Sequence, residues 1–218
     1  TGRTKTFNWF CDDTWRYESF SSKACKNFTV CSTPEPNYIK KYKTNGYNNI
    51  ILANWHSNSS FYPKIQFDNK DIDVCFLGNP TLSRKLFIDS SPVDITNVFG
   101  IPTEKVFETH SRSKIGINFS VNDNDPLRKT QIKQRMFEVP AGAGLLVTEY
   151  HEGIEQFYEI DKEIVTFKNQ DEFQKKIKFL ANKPKIIQSI AKNGHARFLK
   201  QHDSAVRLNE VITKIKEF

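Results

Sequence analysis

Long apolar runs are missing from this chain. No stretch approaches the roughly 20 apolar residues of a membrane-spanning helix, and no signal-peptide pattern opens it. Cysteine is scarce as well: Cys11, Cys25, Cys31 and Cys75 contain no CxxC pair, so neither a zinc site nor a disulfide framework is expected. The five histidines, His56, His110, His151, His195 and His202, lack metal-ligand spacing, which argues against a metal centre. These absences make a soluble, cytoplasmic protein of a reducing compartment the expectation. Dense blocks of one charge are also lacking, although the net charge is +7. A discrete anion such as a nucleotide phosphate therefore suits the chain at least as readily as a nucleic acid. A basic nucleic-acid binder is the weaker reading, because the aromatics lie largely in strand-like runs where core packing explains them. No methionine precedes Thr1-Gly2-Arg3 and a core-like strand follows at once, the pattern expected of a fragment.

What is present centres on Arg135-Met-Phe-Glu-Val-Pro-Ala-Gly-Ala-Gly-Leu-Leu-Val-Thr-Glu149. Met136 and Val139 share one helical face, and Arg135 and Glu138 share another, so this reads as the last turns of a helix that Pro140 stops. Ala141-Gly142-Ala143-Gly144 has no side chain larger than a methyl. A ligand or another backbone can approach it closely, and either glycine can take a positive φ. Leu145-Leu146-Val147 predicts a strand buried on both faces of a parallel sheet. Thr148 and Glu149 then fall at its carboxyl end, where open α/β sheets bind ligands.

In chain order, strands are expected at 5–11, 28–32 and 49–53, with a helix or ordered loop at 15–25 and a helix at 37–44. The polar segment 55–70 reads as a linker between two domains. Beyond it, strands are expected at 71–77, 93–99, 115–119, 145–147 and 163–167. Helices are expected near 84–85, at 103–109, from 130 into the central stretch, and at 153–158, 171–181, 184–201 and 205–218. With 38% apolar residues, 218 residues suffice for one core or one and a half. The alternation of strand and helix means a doubly wound, Rossmann-like parallel sheet. Asp12 and Asp13 directly follow the first strand. Gly78-Asn79 followed by Arg84 and Lys85 at a helix start suits an anion.

Several of these pieces, in order, resemble the nucleotide-sugar-binding half of a GT-B glycosyltransferase, of the group-1 type related to the spore-maturation CgeB proteins. They are Phe76-Leu-Gly78 with Arg84, Ser113-Lys-Ile-Gly-Ile-Asn118, Arg135-x-Phe-Glu138 with the small-residue turn, Leu145-Leu-Val-Thr-Glu149 and Ile190-Ala-x-x-Gly194 to His202. Trp9 with Asp12-Asp13-x-Trp15-Arg16 resembles the end of that family's N-terminal domain. The departures are a front segment of only three strands and Thr130 where many group-1 enzymes carry the first of two glutamates.

The resemblance implies a partial acceptor-side domain over residues 1–67, a donor-binding domain over 68–203, and a terminal helix over 204–218 that packs back toward the front. It further implies metal-independent transfer from a nucleoside-diphosphate sugar to an unknown acceptor, with no other cofactor and no nucleic-acid partner. Glu138, in isolation a solvated carboxylate, would accept from the ribose hydroxyls. Arg84, Lys85 and Arg135 would hold the diphosphate. Gly142, Ala143 and Gly144 would allow close backbone approach to the donor, and Gly78, Asn79, Asn118, Thr148 and Glu149 would lie near its sugar or phosphates. Asp12 and Asp13 are the catalytic or acceptor-orienting candidates, unless they simply cap the following turn. His151 follows Thr148-Glu149 toward the cleft. The competing reading is a non-catalytic nucleotide-binding or interaction module derived from such an enzyme.

Overall fold

The computed structural model describes residues 4–123, 125 and 127–218. Its strands assemble into two sheets, parallel throughout. The front sheet has the order β1 (Phe7–Trp9), β2 (Val30–Thr33), β3 (Ile50–Leu52). The second has five strands in the order β5-β4-β6-β7-β8: β4 (Ile72–Leu77), β5 (Thr96–Val98), β6 (Ser113–Asn118), β7 (Leu145–Glu149) and β8 (Val165–Phe167). Every pair in it is parallel.

Alternation along β7 shows why its apolar run is continuous. Leu145 and Val147 pack in one cluster with Phe173, Ile177 and Leu180 of α7 (Gln170–Ala181), while Leu146 packs in another with Met136, Phe137 and Val139 of α6 (Arg135–Ala141). Successive strand residues point to opposite faces, so a strand between two helical layers must be apolar at every position. The α7 residues recur every three or four positions, as one helical face requires. Asn169 caps α7 by accepting from the Glu172 N–H, and Pro184 occupies the first turn of α8 (Pro184–Gln201). Helices α4 (Leu82–Asp89) and α7 cover one face of the sheet, and α5 (Thr103–Arg112) and α6 the other.

The front sheet carries its own core. Residues 13–25 form a run of helical turns including α1 (Asp13–Arg16) and α2 (Ser22–Cys25), and α3 (Pro36–Thr44) follows β2. Phe10, Tyr17, Cys25, Cys31, Tyr42 and Ile50 pack together on one face. On the other face Val30, Ile51 and Ala53 meet Val211 of α9 (Ser204–Glu217), so the end of the chain returns to its beginning.

The two halves are joined by polar contacts around residues 130–132. The Glu35 carboxylate accepts from the Ile132 N–H at 2.9 Å and lies 3.0 Å from His151 Nε2. Thr14 donates to Gln131 at 2.7 Å, and Trp55 Nε1–H donates to the Ile132 carbonyl at 3.2 Å. No helix among the described residues is long and apolar enough to cross a membrane.

Four local expectations are corrected. The helix expected from Thr130 begins only at Arg135, because the backbone and side chains of 130–132 are engaged with the front half. Pro140 lies inside that helix, one residue from its end, where it removes a single backbone bond. Closure of the helix is a Schellman arrangement, with Gly144 N–H bonded to Val139 O and Ala143 N–H to Pro140 O. The positive φ this requires falls on Ala143, at 54°, and on neither flanking glycine. The helix expected over 153–158 reduces to a single 3₁₀ turn, Ile154–Gln156.

Candidate active site

A cleft of about 510 Å³ opens at the carboxyl ends of β4, β5 and β6, against the loop after β1. Its lining comprises Leu77 and Gly78 after β4, the segment from Val98 to Ile101 after β5, Val106 of α5, Gln131, Lys133 and Gln134 before α6, and Arg135 and Glu138 on α6. Arg84 joins from α4, and the front half contributes Asp12 and Trp55.

Arg135 has the most constrained position. Its guanidinium lies 5.1 Å from the centroid of the Phe76 ring and donates to Asn118 Oδ1 at 3.3 Å. A Cβ on Gly78 would come within 2.7 Å of its Nη2, so only glycine leaves room for it. Asn118 is oriented in turn, because its amide donates to Thr148 Oγ1 at 2.9 Å. Burial brings Arg135 down to about 10, which keeps it a cation at neutral pH.

Arg84 donates to the Asn79 carbonyl at 3.1 Å and stands 3.6 Å from Asp123. Burial lowers its pKa, and the Asp123 and Glu149 carboxylates oppose that shift. Burial, followed by the nearby Arg84, brings Lys133 down to about 8. Three cations therefore converge where desolvation and mutual repulsion are both costly, the electrostatic setting that an anionic ligand relieves.

Glu138 supplies the acidic group. Its side chain is 16% exposed, and Oε2 lies 3.7 Å from Nε2 of the buried His110. Burial opposes its ionisation, yet His110 and Arg135 outweigh burial and hold the carboxyl below the usual range. A fixed carboxylate beside Arg135, in one cleft with Arg84 and Lys133, can accept hydrogen bonds from hydroxyl groups while the cations bind phosphate.

The chain matches the family described as glycosyl transferase-like over residues 66–213. It belongs to that family. Solved structures agree on the fold. HepE from Anabaena, in complex with UDP and glucose, superposes with a TM-score of 0.72 at 10% identity, covering 93% of this chain and 69% of that one. Sucrose-phosphate synthase from Thermosynechococcus elongatus gives 0.65 at 11%, over 90% of this chain and 60% of that one. A glycosyltransferase from Rickettsia africae gives 0.63 at 9%, over 91% and 67%. No curated protein matches the chain by sequence. The architecture is that of GT-B glycosyltransferases, Rossmann-like with parallel sheets.

In this glycosyl transferase-like chain, Asp12, Gly78, Arg84, Arg135 and Glu138 meet in one cleft. Other residues singled out from the sequence stand elsewhere. Asp13 is fully buried in the front core and accepts from the Tyr42 hydroxyl at 3.1 Å, so it does not face the cleft. Burial raises its pKa, with Thr33, Ser21 and Tyr42 acting against that shift. Lys85 is exposed on α4 and outside the lining, and Asn79 takes part through its carbonyl alone. Asn118 and Thr148 are buried behind Arg135. Glu149 accepts from the Val121 N–H at 2.8 Å, and burial raises its pKa.

Gly142, Ala143 and Gly144 lie before β7, at the amino end of the sheet and away from the cleft. A Cβ on Gly142 would fall 2.8 Å from the His110 carbonyl carbon, and one on Gly144 would fall 3.0 Å from the Ser113 carbonyl oxygen. The small residues thus admit neighbouring backbone, the second of the two uses expected of them. His151 is bound to Glu35 and Thr130, at 3.0 Å each, and ties the halves together.

Sequence reasoning missed Trp55, Lys133, Gln134 and the apolar segment after β5. Phe99, 64% exposed beside Gly100, carried a usable signal, since it follows a strand in a doubly wound sheet. Among the described residues, no group of three or more His, Cys, Asp or Glu side chains is placed to hold a metal ion.

Proposed function

We propose that the chain binds a nucleoside-diphosphate sugar in this cleft and serves the transfer of its sugar to an acceptor hydroxyl. The observation that carries the reading is the convergence of Arg84, Lys133 and Arg135 with the Glu138 carboxylate at the carboxyl edge of a Rossmann-like sheet. Glu138 accepts from the ribose hydroxyls, and the exposed Phe99 ring with Val98, Ile101 and Val106 gives the base an apolar wall. The cations hold the diphosphate. UDP is the first nucleotide to test, since HepE was solved with it. Within the family, the order of motifs from Gly78 to His202 favours the CgeB-like group. The free thiols Cys25, Cys31 and Cys75 suit the cytoplasm.

In transfer, the bond between the anomeric carbon and the diphosphate oxygen breaks, and its electron pair leaves on the diphosphate. Arg84, Lys133 and Arg135 stabilise that charge where it develops, without a metal ion. The acceptor hydroxyl oxygen bonds to the anomeric carbon and gives up its proton to water. Asp12, whose carboxylate accepts from Gln131 Nε2 at 3.1 Å, is the front-half carboxylate placed to orient that hydroxyl.

A second reading has its own support. Among the described residues, the front half gives the cleft only Asp12 and Trp55, and holding donor and acceptor together accounts for several kcal/mol of barrier lowering. The chain is then a nucleotide-binding module with weak transfer of its own. Isothermal titration with UDP, GDP and ADP, followed by sugar-release and transfer assays with the matching sugar donors, tests both readings. Binding with turnover supports the enzyme, binding without turnover the module, and absence of binding rejects both.

A further inference from the structure

The least explained polar group near the cleft is His110. It sits on the last full turn of α5, its ring is 1% exposed, and neither ring nitrogen has a hydrogen-bond partner among the described residues. Buried imidazoles ordinarily satisfy at least one nitrogen, so a site that leaves both without one calls for an explanation. The group facing it is the Glu138 carboxylate, 3.7 Å from Nε2 and just beyond hydrogen-bond range.

The backbone position of His110 is set independently of Glu138. The His110 backbone meets Gly142 so closely that a Cβ there would fall 2.8 Å from its carbonyl carbon, which locks α5 against the turn that ends α6. Lys70 strengthens the lock by donating to the Ser111 carbonyl and, at 2.9 Å, to the Gly142 carbonyl. The ring is thus a fixed post behind a carboxylate whose other side opens on the cleft. Arg135, three residues earlier on α6, is already held by Phe76 and Asn118, 3.3 Å away at the latter. Tyr62, close enough to Glu138 to feel its charge, shares a bond of 2.8 Å with Ser57.

We propose that His110 is a positioning residue for Glu138: the N–H on Nε2 anchors carboxylate oxygen Oε2 and directs the carboxylate toward the ribose hydroxyls of the nucleotide. This rests on the nucleotide-binding reading. A small rotation of Glu138 closes the remaining gap, and the anchor leaves Oε1 and the second lone pair of Oε2 to accept from the ligand. The titratable groups that act on Glu138 beside His110 are Arg135 on α6 and Tyr62 in the linker, while the Lys70 ammonium is held by the Ser111 and Gly142 carbonyls.

The test is a double-mutant cycle read by titration with UDP. His110→Phe keeps an aromatic ring and removes the donor, and His110→Gln keeps a donor at nearly the same reach. His110→Phe should weaken UDP binding about three- to tenfold, and His110→Gln should restore it to within about twofold of the parent. In a Glu138→Gln background, His110→Phe should cost little more. Parent-like affinity in His110→Phe alongside a loss in Glu138→Gln would overturn the inference and leave the nucleotide site standing. Parent-like affinity in both would remove the nucleotide reading itself. Should His110→Phe fail to fold, the chemical shift of the His110 ring-proton resonance is compared in the parent and in Glu138→Gln, each with and without UDP. A resonance that depends on Glu138 and moves with UDP supports the role. One indifferent to both overturns it.

Discussion

Gly78→Ala isolates one contact on which the cleft depends. The added methyl carbon falls 2.7 Å from Arg135 Nη2 and 2.9 Å from the Phe76 ring. Non-bonded contacts of this kind settle at about 3.5 Å, so the guanidinium must retreat by roughly 0.8 Å. It cannot do so and keep its bond to Asn118, which already stands at 3.3 Å. A hydrogen bond to a charged group is worth about 1.5–3 kcal/mol, and the stacking on Phe76 about 0.5–2 kcal/mol. A long side chain recovers part of this elsewhere. A net affinity loss of about 1.4 kcal/mol, or tenfold in Kd, follows for UDP. Crowding the strand end should also lower stability by about 1–2 kcal/mol. Isothermal titration and thermal unfolding of Gly78→Ala, Arg135→Ala and the double variant decide the matter. With Arg135 gone, Gly78→Ala should cost almost no further affinity. Additive losses, or full affinity in the single variant, would refute the placement of Arg135 as a ligand contact held by Gly78.

Three further outcomes are expected. Burial places Lys133 at about 8, below its ordinary 10.5. The folded chain therefore holds fewer protons than the unfolded one between these values, and stability should rise with pH across that window. A diphosphate draws the proton back, so UDP affinity should fall as pH rises through about 8. Lys133→Met should flatten both profiles, as titrations in buffers of different ionisation enthalpy would report. Asp12→Asn should reduce transfer and leave thermal stability near the parent, whereas Asp13→Ala, which strands the buried Tyr42 hydroxyl, should cost about 1–3 kcal/mol of stability. An affinity or turnover defect in Asp13→Ala at matched folded fraction would return that carboxylate to the cleft. Ala143→Gly relieves a positive φ of 54° at the end of α6 and should raise stability by about 0.5–1 kcal/mol, measured by denaturant unfolding; a lower midpoint would contradict the strain argument.

Local chemistry alone determined the strand at β7 and the apolar stretches 74–77 of β4 and 115–117 of β6, because a central parallel strand must be apolar where both its faces are covered. It also determined α8, opened by Pro184, and the pairing of Arg135 with Glu138 on one turn. Tertiary structure decided which groups share the cleft. Asp12 and Asp13 are equivalent as letters, yet one turn of chain sends Asp12 to the cleft and Asp13 to Tyr42. Lys85 and Lys133 likewise differ only in where their helix and loop are pinned. The glycines of the central turn advertise close approach, and only the fold shows that what approaches Gly142 is the backbone of His110. Such partners lie far apart in the chain, and the register of α5 against α6 that joins them is set by the packing of the two helices on one face of the sheet, which no window of sequence contains.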